Sequence, residues 1–369
     1  MIRRLLFLNG LAALGAVLNH ASGWGFTAML WWTERHRAGA APDFSRIGSA
    51  SYYILRAIEQ LIMFSIPAFL FVSGFFIAFA VGREQKNIGW NTVGARIKNL
   101  VFPYILWSVA IFVGRGFESP VGTPGEYFKS LICGGASPPY YYIPLLIQFF
   151  LLSPLIVLLV RRHWKPALLA SGLIQFVILL ASYPVILGRG VPAAKWIVDS
   201  VPGCFFPHSI FWFVFGVFAG FHLPILKGWL GRCKRYLPAV TIILALLAFA
   251  EWELLFRFSG ADWLAPRVTV LDAFYAGSFI LSYLAFERTD LPFMRQFGEL
   301  GAKSFGVYLV HAPLLELISR ATYHFASWVL AYPCVFVALL VAASVGIPLL
   351  FMNLVNHSPA RPYYRFVFG

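Results

Sequence analysis

Apolar segments long enough to cross a lipid bilayer recur from one end of this chain to the other. They lie near residues 5–25, 58–82, 97–115, 141–161, 166–187, 205–223, 237–256, 269–287, 303–323 and 329–354. About 20 apolar residues span the hydrocarbon core as a helix. Inside that core a backbone must satisfy its own polar groups, and a helix does so within one segment. Only 12% of the 369 residues are charged, and the mean hydropathy is +0.75. A soluble protein carries about 25% charged residues. The expected fold is an all-α integral membrane protein: a single domain, 1–369, of about ten transmembrane helices in one bundle around a polar cavity.

The formal net charge is +14. In a membrane protein such an excess first marks cytoplasmic connections. No basic–aromatic pattern of a nucleic-acid module accompanies it. With the N-terminus in the cytoplasm, 18 of the 29 basic residues fall on the inner side, among them Arg3, Arg4, Arg83, Lys86, Arg96, Lys98, Lys227, Arg232, Lys234, Arg235 and Arg288. Arg35, Arg37 and Arg46 in the first outer connection blur the contrast. The expected location is the cell membrane, a bacterial inner membrane. Trp24, Trp31, Trp32, Tyr52, Tyr53 and the run Tyr140, Tyr141, Tyr142 read as interfacial aromatic belts. The opening residues, two arginines and an apolar run before Ala21-Ser22-Gly23, also fit a signal peptide. An uncleaved first span is preferred because its polar residues belong to the constellation below. Cys133, Cys204, Cys233 and Cys334 have no metal-ligand or redox spacing, and no metal is expected. Cys133 and Cys204 both fall on the outer side, which leaves a disulfide open.

Asn9 and His20 interrupt the first segment. They are eleven residues apart, close to three helical turns, so they share one face about 16 Å apart along the axis. Polar side chains inside hydrocarbon are costly and normally face the protein interior or a wet cavity. Glu59, Glu251, Glu253, Asp272 and Glu316 lie at or near segment ends and read mostly as interfacial. His208 and His222 read as packing or interfacial groups.

Several segments, in order, resemble the membrane-bound acyltransferase 3 family. The residues from Asn9 to His20 (NGLAALGAVLNH) are similar to its first span, and Ile66–Ile77 (IPAFLFVSGFFI) to its second. Arg96–Tyr104 (RIKNLVFPY) resembles its basic entry to the third, and Tyr142–Pro154 (YIPLLIQFFLLSP) its fourth. Gly301–His311 (GAKSFGVYLVH) resembles a late Ser-x-x-x-Tyr-Leu-x-His element. The resemblance implies transfer of an acyl group, most often acetyl, from a cytoplasmic acyl-CoA to a hydroxyl of a carbohydrate or envelope glycan. Acetyl-CoA is then a co-substrate, and no bound cofactor is implied.

The implied catalytic residue is His20. A sugar hydroxyl is a poor nucleophile at neutral pH, and an imidazole base suits it. General base and transient acyl carrier both remain open for His20, as does a packed structural histidine. His311 stands as a second candidate, orienting the acceptor or holding helices together. Arg96 and Lys98 are candidates for the donor's phosphates, with positive-inside anchoring as the alternative. Ser73, Tyr142 and Gln148 are candidate cavity-lining residues. Asn9 departs from the family, which usually places Arg or Lys there. A nearby cation such as Arg3, Arg4 or Arg96 is expected to take over its role. A carrier or exporter of a lipid-linked or free glycan, and a scaffold without turnover, are the competing readings.

Overall fold

The computed structural model describes residues 1–37, 39–82, 87–116, 122–286 and 291–369; Arg83, Lys86 and Arg288 lie outside them. Fifteen α-helices run in chain order among the described residues: α1 Ile2–Phe26, α2 Ala50–Leu61, α3 Ser65–Val81, α4 Trp90–Gly116, α5 Pro124–Cys133, α6 Tyr142–Ile186, α7 Pro192–Ser200 and α8 Ile210–Phe221. The remainder are α9 Leu223–Cys233, α10 Leu237–Ser259, α11 Val270–Ala285, α12 Met294–Ala302, α13 Ser304–Phe325, α14 Pro333–Asn356 and α15 Tyr364–Phe368. No described residue is in a strand.

Six stretches are long and apolar enough to cross a membrane: Ile2–Trp31, Ala50–Val81, Trp90–Gly116, Pro138–Ile186, Leu237–Ser259 and Pro333–Asn356. A seventh is counted if the pair Phe206–Phe221 and Leu223–Cys233, bent by 101°, is one span. The protein is an integral membrane protein. Every apolar segment read from the sequence is mostly helical over its described residues, but several are shorter, more polar or joined. Segments 141–161 and 166–187 form the single 45-residue α6, broken at His163 (φ −136°, ψ 51°). Pro166 follows three residues later; it lacks an N–H, and its ring crowds the carbonyl four residues back.

Close helix approach sets the core. A Cβ on Gly10 of α1 would meet the Phe297 carbonyl of α12, and one on Gly301 would meet the Leu6 carbonyl. The α3–α8 pair uses the same device, with Gly74 against the Phe213 carbonyl and Gly216 against that of Phe71. Small residues let backbones touch where the lipid provides no hydrophobic drive for helices to associate. Gly216 and Gly220 form a Gly-x-x-x-Gly step on α8.

Prolines inside these helices free carbonyls, and side chains take them up. Pro313 of α13 leaves the Leu309 carbonyl without its helical donor, and the Tyr140 hydroxyl donates to it at 2.6 Å. Pro154 leaves the Phe150 carbonyl, which accepts from Ser153 Oγ at 2.6 Å. The tyrosine run is therefore not an interfacial belt throughout: Tyr140 and Tyr142 are buried in the bundle, and so is Tyr52.

Glu59 and Asp272 are also buried rather than interfacial. Glu59 pairs with Arg56 one turn earlier on α2. Gln60 donates to Asp272 Oδ1 at 2.7 Å, and Asp272 Oδ2 accepts from the Thr269 N–H at 2.9 Å. A second apolar cluster closes the end of the bundle beyond His20. It gathers Phe26, Met29, Leu30, Tyr52, Leu330 and Phe336, with Trp24, Trp31, Trp32 and Trp263 packed around it.

Candidate active site

Asn9 and His20 both face α13. Asn9 Nδ2 donates to the Gly301 carbonyl at 2.9 Å and to Ser304 Oγ at 2.8 Å, where α13 begins. Farther along the same face, the ring of His20 lies 5.4 Å from the ring of His311, tilted by 41°. Thus α1 and α13 bring together the two histidines that the sequence separates by 291 positions. Asn9 acts here as a fastener between α1 and the α12–α13 joint.

His311 is fully buried, and its Nδ1 lies 2.6 Å from the Tyr308 carbonyl. A carbonyl only accepts, so Nδ1 carries the hydrogen and Nε2 presents a lone pair. That Nε2 is buried and has no hydrogen-bond partner in the structure. A buried polar atom without a partner calls for an explanation, and the ring that carries it lies beside the His20 ring. His20 sits in a densely packed part of the bundle yet keeps part of its surface open. One histidine is thus fixed by a backbone carbonyl, and the other is partly exposed.

A tyrosine cluster continues from His311. The Tyr308 ring lies 5.5 Å from His311 and 5.7 Å from Tyr142. Tyr308 donates its hydroxyl to the Pro139 carbonyl. The Tyr142 hydroxyl lies near the side chain of Ser73, which is half-buried on α3. Ser73 and Tyr142 therefore belong to the neighbourhood of the histidine pair. Gln148 serves another part of the fold. Its amide donates to the Cys204 carbonyl at 2.7 Å and accepts from the Phe206 N–H at 3.2 Å. It pins the segment before α8, which carries Cys204 against Cys133 with both thiols free.

The basic candidates diverge. Arg96 turns inward from α4, its guanidinium 5.7 Å from the Phe150 ring and 3.4 Å from the Phe76 carbonyl. Lys98, two residues on, is exposed. Arg4 is buried, donates to the carbonyls of Tyr283 and Phe286 and covers the Tyr283 ring at 4.6 Å. These carbonyls lie at the end of α11.

Residues 6–352 match the sequence profile of this family, described as an acyltransferase domain. The chain belongs to the acyltransferase 3 family. It is a membrane-bound O-acyltransferase, and the carrier and scaffold readings fall away. A similar protein is the succinoglycan biosynthesis protein ExoH of Rhizobium meliloti (strain 1021). It is 25% identical over 283 residues, which cover 70% of this chain and 67% of that one. No solved structure matches this acyltransferase 3 member.

Proposed function

We propose that the protein moves an acyl group, acetyl in the simplest case, from acyl-CoA to a hydroxyl of an envelope polysaccharide, with His20 as the general base. The observation that carries this reading is the His20–His311 pair. The name of the relative, a succinoglycan biosynthesis protein, favours a polysaccharide acceptor.

The steps follow from the two rings. His20 takes the proton of the sugar hydroxyl as its oxygen bonds to the thioester carbonyl carbon. The carbon–sulfur bond then breaks, and the departing thiolate takes the proton from His20. While His20 is protonated, its second N–H donates to His311 Nε2, whose lone pair the Tyr308 carbonyl has already oriented. This is the logic of a base steadied by a third group. Arg96 holds the donor's phosphates from inside the bundle, and Lys98 attracts them from its rim. Arg96 supplies the cation that Asn9 lacks.

In this reading all ten helical segments cross the bilayer, with the N-terminus and the basic connections in the cytoplasm of a bacterial inner membrane. A polar cavity lies between α1, α3, α4, α6 and α13. Half-buried His20, Ser73, Arg96 and Tyr141 support it. Purified protein in vesicles should release coenzyme A thiol from acetyl-CoA only when polysaccharide is present, with ester mass appearing on the glycan. Acceptor-independent release, or none from any acyl-CoA, contradicts the proposal.

A further inference from the structure

One stripe of α1 begins buried and ends open. Ala12, Ala16, Asn19, Gly23 and Thr27 follow one another at steps of three or four residues, so they lie along one side of the helix. Ala12 and Ala16 are buried, Asn19 and Thr27 are half-buried, and Gly23 is exposed. A Cβ on Gly23 would meet nothing within 4 Å. On one flank of the stripe, a Cβ on Gly15 would strike Ser65 of α3. On the other flank His20 faces His311 of α13. The stripe therefore points between α3 and α13, into the bundle, where its first two residues are packed. It opens from Asn19 to Thr27, about 12 Å along the axis. His20, partly exposed, borders the same opening.

Asn19 is the polar group here whose hydrogen-bonding capacity is unspent. Among the described residues its side chain has no hydrogen-bond partner. The Thr27 hydroxyl, by contrast, donates to the Gly23 carbonyl at 3.0 Å. An amide inside a membrane span is costly unless it faces the interior or a wet cavity. A carboxamide offers an acceptor oxygen beside two N–H donors. The phosphates of coenzyme A only accept, so they gain nothing from the amide oxygen. Neighbouring hydroxyls on a sugar ring each donate and accept, and a carboxamide matches them: its oxygen takes one O–H and its N–H gives to the next oxygen.

We infer that this opening is the entrance for the glycan acceptor and that Asn19 holds the sugar hydroxyl next to the one acylated. The inference rests on the acyl-transfer reading and adds to it a route and a second contact. His20 meets the reacting hydroxyl, and the residue before it fixes which hydroxyl that is.

The first arm of the test uses the full-length protein in vesicles, with its four cysteines replaced by serine and a cationic methanethiosulfonate on both sides of the membrane. Asn19→Cys and Gly23→Cys should react, and Ala12→Cys should not. Host envelope polysaccharide, stripped of its esters by mild alkali, should slow both reactions. In the second arm, Asn19→Leu in the natural cysteine background should raise the KM for that polysaccharide about tenfold, the worth of one hydrogen bond. The KM for acyl-CoA should stay unchanged, and Asn19→Gln should recover part of the loss. Gly23→Trp, placed in open space, should block ester formation on the polysaccharide while acyl-CoA still binds. A folded Asn19→Cys variant that does not react overturns the inference. So does labelling that the polysaccharide leaves undisturbed, an unchanged KM for polysaccharide in Asn19→Leu, or a KM that rises for acyl-CoA instead. If Asn19→Cys does not fold, Gly23→Cys decides under the same criteria. If wild type forms no ester, the acyl-transfer reading fails, and labelling with its protection by polysaccharide still decides the entrance.

Discussion

At the residue scale the proposed chemistry rests on two imidazoles with different surroundings. His311 is buried and held by a backbone carbonyl, and His20 is partly exposed. If they act as one unit, their losses will not add. His20→Ala should lower kcat by about 10²- to 10⁴-fold, the usual worth of a placed general base. His311→Ala should lower kcat with little change in the KM for glycan, and the double variant should be barely worse than His20→Ala. Additive losses would separate the two histidines. Asn9 makes a contrasting case. Asn9→Leu removes two hydrogen bonds to the α12–α13 joint. It should lower the unfolding midpoint while leaving the KM for acyl-CoA unchanged; a raised KM would give Asn9 a donor contact. The eleven-residue spacing made the shared face of Asn9 and His20 legible in the sequence. The meeting of His20 with His311 was not, because it depends on how α1 crosses α13. Nor did Gln148 announce its role: a glutamine on an apolar span looks the same whether it lines a cavity or pins a distant carbonyl.

At the scale of elements, the bundle is held by backbone contacts and by repairs at prolines. Apolar periodicity located the helices because every one must satisfy its own backbone. It did not reveal which faces touch. The Gly10–Gly301 and Gly74–Gly216 contacts depend on pairs far apart in the chain, with only the Gly216–Gly220 step as a local sign. Gly301→Ala should cost about 1–3 kcal/mol, as overpacked cores do, read as a lower midpoint in detergent. An unchanged midpoint would mean that the α1–α12 contact is loose. The buried tyrosines were misread as belts for a related reason. Aromatic composition marks amphipathic side chains, but only the structure shows that Tyr140 answers the carbonyl freed by Pro313. Tyr140→Phe leaves that carbonyl buried and unpaired, at a cost of about 1–3 kcal/mol. Chemical denaturation of the reconstituted protein measures it, and a neutral substitution would show another donor at work. Buried Glu59 reads as interfacial in the sequence, and Arg56 stays unmarked, because a charge near a segment end looks interfacial until its partner is known.

At the scale of the whole molecule, the charge asymmetry of the connections supports the proposed orientation. A membrane-impermeant maleimide applied to intact cells should label the exposed Cys133. It should reach Cys233, on the basic end, only after the membrane is opened. The reverse pattern would invert the topology and put the donor on the wrong side of His20. A catalyst of thiol oxidation should join Cys133 to Cys204, whose thiols are neighbours, and tie the α5 end to the segment that Gln148 pins. The most direct test of the central claim is a single-turnover assay in vesicles, with acyl-CoA and polysaccharide saturating, comparing wild type with a folded His20→Ala variant. The account predicts that wild type forms the glycan ester and that the variant binds both substrates but forms the ester at least about 100-fold more slowly. Ester formation at the wild-type rate by His20→Ala would contradict it.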